Sequence, residues 1–307
     1  MAKNKNDLIA YCFLLGAIAL WGGNWVAVRY IVQVMPPMVG ATIRMFFCSI
    51  LLILFLKITT GKTLALKGIS IFIFLGLMQF GFNFLQYIGL TSTTAINGSL
   101  INTTTPIFTI LLSRFLIKEK MSKFQLLGVL ISFVGVGWVI TDGSWEVVRS
   151  LTFNAGDILI VGAVCCWSLY TIYAKKQIVA TSAVYVSAYV TIISFIYFLP
   201  FGIVQYEPGW QQSVSWALVA ALIFIVGVAI FGLIFWNKGV GIIGAGRASV
   251  FINLIPVFTL LFASMFLQET ITLNQLLGGI VVIGGVYLTS GSRFSIRRSE
   301  QENNLTE

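Results

Sequence analysis

The sequence predicts an all-α integral membrane protein of ten transmembrane helices, arranged as two inverted five-helix repeats. Three observations carry that expectation. Of 307 residues, 58% are hydrophobic and 9% are charged, against about 25% charged in a soluble domain, so polar surface is too scarce to face water all round. Ten apolar stretches approach the ~20 residues a helix needs to cross ~30 Å of hydrocarbon. Finally, one segment occurs twice: "TPIFTILLSRFLIKEKMSKFQLLG" (105–128) returns as "IPVFTLLFASMFLQETITLNQLLG" (255–278), 150 positions later and without a gap.

The spans are expected at 8–28, 37–56, 68–89, 95–117, 122–141, 156–174, 182–204, 214–236, 245–267 and 272–290. The first is too long for the apolar core of a signal peptide and lacks a small-x-small cleavage pattern. No connection is long enough to fold as a soluble domain. With the N-terminus inside, sixteen of the nineteen Lys and Arg fall on the cytoplasmic side or at cytoplasmic span ends, leaving only Arg29 and Arg149 outside and Arg44 within a span. Cation asymmetry of this kind orients a membrane protein. The net charge of +9 is therefore an orientation signal and not a nucleic-acid surface. The expected setting is a bacterial plasma (inner) membrane, crossed many times, with both termini cytoplasmic.

In the 150-residue register, 95–136 aligns with 245–286, and thirteen of those forty-two positions are identical. Shared hydrophobicity would not reproduce a Pro, a Glu and a Gln in register. An offset of 146 relates Trp21 to Trp167 and Arg29 to Lys175. The chain thus divides into a first unit (1–148), a second (149–292) and a polar cytoplasmic tail (293–307) expected to be disordered. Five helices per unit is odd, so the second unit enters the membrane from the opposite side. The Lys118-Glu119-Lys120 connection is then cytoplasmic, and its counterpart Gln268-Glu269-Thr270 is external and free of lysine. Inverted repeats are typical of secondary transporters, whose sites lie between the repeats near the midplane.

Within the repeated motif, Ser122…Gln125 and Thr272…Gln275 fit a capping box: the hydroxyl accepts the third helical N–H and the glutamine reaches back. That is a structural role for the glutamine. Pro106 and Pro256 are expected inside the fourth and ninth spans. Each removes a backbone hydrogen bond, and the freed carbonyl needs a side chain, water or a cavity. Thr103, Thr104, Thr105 and Asn253 are spaced to supply one. A packing kink and a cavity-lining hinge both fit these prolines, and recurrence in both halves favours the hinge.

"WGGNWVAVRY" (21–30), "PPMVGATIR" (36–44) and the paired Pro-(Ile/Val)-Phe-Thr…Glu…Gln-Leu-Leu-Gly blocks resemble the EamA-type branch of the drug/metabolite transporter superfamily, over about 8–290. The resemblance implies a ten-helix transporter with a central cavity lined by both halves, often exporting amino acids or related metabolites.

Polar and aromatic residues at helical spacing mark the candidate cavity. Gln79, Asn83, Gln86 and Tyr87 share one face of the third span. Asn102 shares a face with Ser99 and Pro106. Trp21 and Asn24 stand three apart, as do Trp167 and Tyr170, while Trp236 and Asn237 end the eighth span and Asn253 precedes Pro256 in the ninth. Amides are costly in lipid and should point inward, either as interhelical bonds or as solute contacts. Trp21, Tyr87 and Trp236 could equally form an interfacial belt. Collectively the lining suits a neutral or zwitterionic small-molecule solute. Arg44, about seven residues inside its span, can snorkel to the headgroups or meet a substrate carboxylate or a helix-end carbonyl, and the snorkelling anchor is the preferred reading.

The expected function is export of amino acids or related metabolites by alternating access, as a uniporter. A multidrug exporter for lipophilic cations is an alternative, but it would favour a deep carboxylate, and none lies deep in any span. A proton-coupled carrier is another, but the chain has no His. An enzyme lacks a nucleophile–base constellation. Cys12, Cys48, Cys165 and Cys166 show no metal-ligand spacing, and Gly239-Val-Gly241-Ile-Ile-Gly244 lacks the strand and acid that a dinucleotide fingerprint requires. No cofactor or metal is expected, and oligomeric state leaves no mark in the sequence. The orientation is testable. In a background without native cysteine, Ser144→Cys should react with an impermeant maleimide in intact cells and Ser122→Cys should not; the reverse pattern would invert the topology.

Overall fold

The computed structural model describes residues 2–61, 69–116, 123–146, 154–232, 235–236, 238–239, 242, 251, 254–285 and 287–288. Asn237 and Asn253 lie outside them, as do Glu119, Ser122 and the 293–307 tail. The described residues are helical, without strands. In chain order they form α1 (Ala2–Val34), α2 (Pro37–Thr60), α3 (Ile69–Ser92), α4 (Ala95–Asn102), α5 (Thr105–Leu116), α6 (Lys123–Ile140), α7 (Ala155–Ala180) and α8 (Ala183–Val204). A 3-10 turn, Trp210–Ser213, leads into α9 (Trp216–Gly227), which continues as a π-turn over Val228–Gly232. α10 (Ile255–Phe266) and α11 (Leu273–Gly285) follow. Among the described residues, five helices are long and apolar enough to cross a membrane: α1, α2, α3, α7 and α8. Four shorter apolar segments stand in α6, α9, α10 and α11.

The expected fourth span is two helices and not one. α4 ends at Asn102 and α5 begins at Thr105. Pro106 is therefore the second residue of α5 and not an interior kink. Pro256 likewise occupies the second position of α10. The physical reason is that the first turn of a helix has no intrahelical partner for its N–H groups, so proline fits there without loss. The carbonyls that the break frees are met locally. Thr103 Oγ1 donates to Leu100 O at 2.6 Å, Thr104 Oγ1 to Ile101 O at 2.6 Å, and Thr105 Oγ1 to Asn102 O at 2.7 Å. Asn102 O is the acceptor that an N–H at position 106 would have used, so the threonine run does what its spacing predicts.

Packing crosses the midpoint of the chain. α3 lies along α7 and α8, α2 along α8, α1 against α10 and α9, and α4 against α10 and α7. Small residues permit the closest crossings, as in membrane helix pairs generally. α6 meets α11 where a Cβ on Gly135 would stand 2.7 Å from Val282 N, and one on Gly278 would stand 2.6 Å from Val139 Cγ2. α1 meets α10 at Gly22, whose added Cβ would sit 2.6 Å from Phe258 Cβ and 3.1 Å from Ile255 O. Thr259 Oγ1 donates to Gly22 O across the same contact at 3.2 Å. The "WGGNW" stretch is thus, in part, a helix-crossing motif. The main core gathers around Trp25, Ile31, Met38, Tyr87, Ile96 and Ile101, all buried.

Five connections meet at one end of the bundle. Gln205 Oε1 accepts the Met38 N–H at 3.0 Å, Asn154 Nδ2 donates to Ser92 O at 2.8 Å, and Asn274 Nδ2 donates to Asp142 O at 2.6 Å.

The glycine contacts give a paired prediction. Gly22→Ala should lower thermal stability by about 1–3 kcal/mol, because it presses on backbone as well as on a side chain. Gly137→Ala, with nothing within 4 Å of the new Cβ, should be neutral or stabilising by up to about 1 kcal/mol. Thermal unfolding of the purified variants checks both.

Candidate functional site

Two polar assemblies are built on this frame, one inside the bundle and one at its end. The interior assembly rests on α2 and α3. Arg44 Nη1 donates to Asn83 Oδ1 at 3.3 Å, and Asn83 Nδ2 donates to Gln79 O at 2.8 Å. The guanidinium also interacts electrostatically with the Tyr87 hydroxyl and, one turn along α2, with the Cys48 thiol. Arg44 therefore turns inward onto α3 and does not reach for the headgroups. Insertion scales put a centrally placed arginine at about 2.5–3.5 kcal/mol, and inward hydrogen bonding reduces that penalty. Tyr87 is completely buried, which removes it from any interfacial belt. Asn83 and Gln86 are 4% and 1% exposed.

Polar atoms at this depth are normally bonded. Yet Arg44 Nε, Gln86 Oε1 and Tyr87 Oη are buried with no hydrogen-bond partner, and so is Asn24 Oδ1 on α1; outside this group the same holds for Arg29 Nε, Ser194 Oγ and Trp210 Nε1. The first four need an account. All four residues belong to the set that the sequence marks out. The aromatics form two pairs. Trp21 and Trp236, one from each half, have ring centroids 5.3 Å apart, and Trp21 packs where a side chain at Gly232 would otherwise stand. Trp167 stacks on Tyr170 at 5.0 Å and meets Phe82 of α3 at 5.1 Å. Trp167 itself is exposed. Asn102 stands at the α4–α5 break, its side-chain oxygen 3.4 Å from Thr105 Oγ1. A separate apolar cavity of about 350 Å³ opens between α2 and α8, lined by Val39, Thr42, Ile43 and Leu199 among others. It holds none of the predicted site residues.

The second assembly joins segments far apart in sequence. Glu269 accepts the N–H groups of Ala95 at 3.1 Å and Ile96 at 3.4 Å through its two carboxylate oxygens, and pairs with Arg29 Nε at 4.0 Å. Arg29 Nη1 also donates to Leu90 O. Thr94 caps the same α4 terminus by accepting the Asn97 N–H. The expected capping box on α11 is present in both directions: Gln275 N donates to Thr272 Oγ1 at 3.1 Å, and Thr272 N to Gln275 Oε1 at 3.0 Å. Gln275 Nε2 then reaches across to Asn97 Oδ1 at 2.9 Å. Asp157, only 1% exposed in the first turn of α7, accepts from Thr93 Oγ1. Negative charge at a helix N-terminus is favourable, and both acids use it. Sequence reasoning located Glu269 by its repetition and placed it in a connection beside a capping box, without naming a partner for it. Its partners lie over 170 positions away, and no local pattern announces them.

Among the described residues, no group of three or more His, Cys, Asp or Glu could hold a metal ion. The chemistry on offer is hydrogen bonding, a half-buried cation and aromatic surface. These suit recognition of a small polar solute inside a helical membrane bundle.

Comparison with known proteins agrees. The model of the EamA-like transporter family matches residues 8–141 and again 154–291. This chain belongs to the EamA-like transporter family. Its relatives include the uncharacterized transporter YyaM of Bacillus subtilis (strain 168), 31% identical over 92% of this chain and 93% of that one. A probable amino-acid metabolite efflux pump of Salmonella typhimurium is 25% identical over 92% of this chain and 94% of its own length. A crystal structure at 17% identity superposes with a TM-score of 0.62, covering 93% of this chain and 98% of that one, which establishes a shared fold. The EamA-like chain is accordingly a multi-pass membrane protein of a transporter family.

Glu269 carries a prediction of its own. Glu269→Ala should cost about 1–3 kcal/mol, the range for leaving partly buried donors without acceptors. Glu269→Gln, which keeps one carbonyl oxygen for α4, should cost less. Chemical or thermal unfolding in detergent measures the difference; no loss in Glu269→Ala would mean that the cap contributes nothing.

Proposed function

We propose that this EamA-like protein exports small neutral or zwitterionic metabolites, amino acids first among them, by alternating access and as a uniporter. The observation that carries the reading is the set of buried, unpartnered polar atoms on Asn24, Arg44, Gln86 and Tyr87. A folded protein seldom leaves such atoms unbonded, and a solute bound among α1, α2 and α3 would supply what they lack. Gln79, Asn83, Asn102, Trp167, Tyr170 and the Trp21–Trp236 pair complete the lining in this proposal, with Asn237 and Asn253 from the second half. The name of the Salmonella relative supports the substrate class.

Two inverted five-helix units, 1–148 and 149–292, are supported by the doubled family match and by the reciprocal packing. α1 meets α9 as α7 meets α3, and α1 meets α10 as α7 meets α4 and α5. Pro106 and Pro256 begin half-helices at related positions, so the α4–α5 break and its α10 counterpart are the hinges. The cation asymmetry supports cytoplasmic termini in a bacterial inner membrane.

Uniport follows from the acids. Glu269 and Asp157, the described carboxylates nearest the bundle interior, are committed to helix N-termini, and His is lacking throughout. A second reading, proton coupling, draws on the near-complete burial of Asp157.

Proteoliposomes under an imposed pH gradient at zero membrane potential separate these readings. Equilibration of a transported amino acid to equal concentrations supports uniport. Accumulation abolished by a protonophore and by Asp157→Asn supports coupling. In cells, the protein should confer resistance to toxic amino-acid analogues and not to quaternary amines; the opposite result favours a multidrug exporter. Asn24→Ala and Asn102→Ala should each impair efflux at least tenfold with thermal stability near that of the parent.

A further inference from the structure

We infer that Arg44 and Tyr87 form a carboxylate-binding subsite, so that the transported solute must carry a carboxylate. This rests on the transporter reading above and narrows it from neutral or zwitterionic solutes to carboxylate-bearing ones. The argument begins with missing counter-charge. Arg44 lies within α2, which packs against α3, α8, α9 and α1. α2, α3, α8 and α9 contain no Asp or Glu, and α1 has only Asp7, near its start. Among the described residues, the one ion pair is Arg29–Glu269, in the other assembly. A half-buried arginine with its Nε enclosed and no acid beside it is a costly arrangement unless an anion arrives from elsewhere.

The donors are arranged for such an anion. Arg44 spends Nη1 on Asn83 and keeps Nε buried and unbonded. The Tyr87 hydroxyl beside it is equally buried and, apart from its interaction with the guanidinium itself, unbonded. Guanidinium and phenol are both strong donors to carboxylate oxygens, and charge-assisted bonds of this type are the stronger class. Packing fixes the geometry. Tyr87 is fully enclosed in the main core, and Asn83, itself tied to Gln79 O, holds the guanidinium in place.

The test uses the purified full-length protein in nanodiscs, with thermal unfolding and isothermal titration as readouts. The probes are the twenty L-amino acids, their carboxamides and decarboxylated amines, and acetate, pyruvate and benzoate, each in chloride and in gluconate buffer. At least one carboxylate should bind and stabilise, with its carboxamide binding at least tenfold more weakly. Tyr87→Phe should weaken that carboxylate about tenfold or more, the scale of one hydrogen bond to a charged group. Its melting temperature should be unchanged or higher, because a buried unbonded hydroxyl has been removed. Arg44→Gln should abolish the preference for acid over amide, and Arg44→Lys should retain part of it.

Equal binding of acid and amide, a Tyr87→Phe protein that binds normally, stabilisation by chloride alone, or no carboxylate binding at all would each overturn the subsite. Transport is tested separately. If liposomes carry a carboxylate-free solute at a rate unaffected by Arg44→Gln, the transporter reading stands and the subsite falls. If no probe crosses but the Arg44-dependent carboxylate binding remains, the subsite stands and the transporter reading fails.

Discussion

Hydrocarbon offers no hydrogen bonds, so every peptide group within the membrane must be satisfied by the chain itself. That constraint governs the least regular part of this protein. Interrupting a span between α4 and α5 exposes carbonyls at the end of one half-helix and N–H groups at the start of the next. Three successive threonines return their hydroxyls to the carbonyls of residues 100–102. Proline at the second position of α5 removes one of the N–H groups altogether. At the far end of α4, the N–H groups of Ala95 and Ile96 are taken by Glu269. A discontinuous helix is thus fully provided for, but only because a residue 174 positions from Ala95 supplies the cap.

The same carboxylate explains why the repeated motif carries a glutamate. The two halves are joined by a bond from the motif of one to the broken helix of the other, reinforced by Arg29 and by Gln275 on Asn97. The proposed inversion would make this geometry natural. Where two copies of a unit face each other across a two-fold relation, a residue just before one helix lies beside the start of its partner's half-helix. The proposed hinges and the proposed solute site then share a wall. A solute near Asn102 would touch the residue on which the break turns, so binding and helix rearrangement need no long-range linkage.

The interior polar assembly has opposite logic. At the bundle end the carboxylates and amides are paired, while Arg29 Nε is left with its ion pair to Glu269 and no hydrogen bond. Around Arg44 three further polar atoms lack partners and no acid is paired with the cation, which costs stability and leaves capacity for a ligand.

Composition and period alone determined that the chain is a helical membrane protein, because burial in lipid imposes a length and an apolarity that no soluble fold needs. The 150-residue register announced a duplication, and the threonine run and the Thr272–Gln275 box were legible because capping is local, within four residues. The amide-bearing face of α3 was legible from its spacing of three and four. What no local pattern held were the pairings between distant segments: Glu269 with α4, Gln275 with Asn97, Trp21 with Trp236, and the turn of Arg44 onto Asn83. Snorkelling and inward bonding cost similar energies for an arginine seven residues into a span, so only the presence of Asn83 on the neighbouring helix decided between them. The position of the prolines, at helix starts and not in helix interiors, was likewise a tertiary outcome. Proline forbids a hydrogen bond but does not say whether the helix bends or ends, and the threonines, the glutamate and the packing of α4 on α10 settled that it ends.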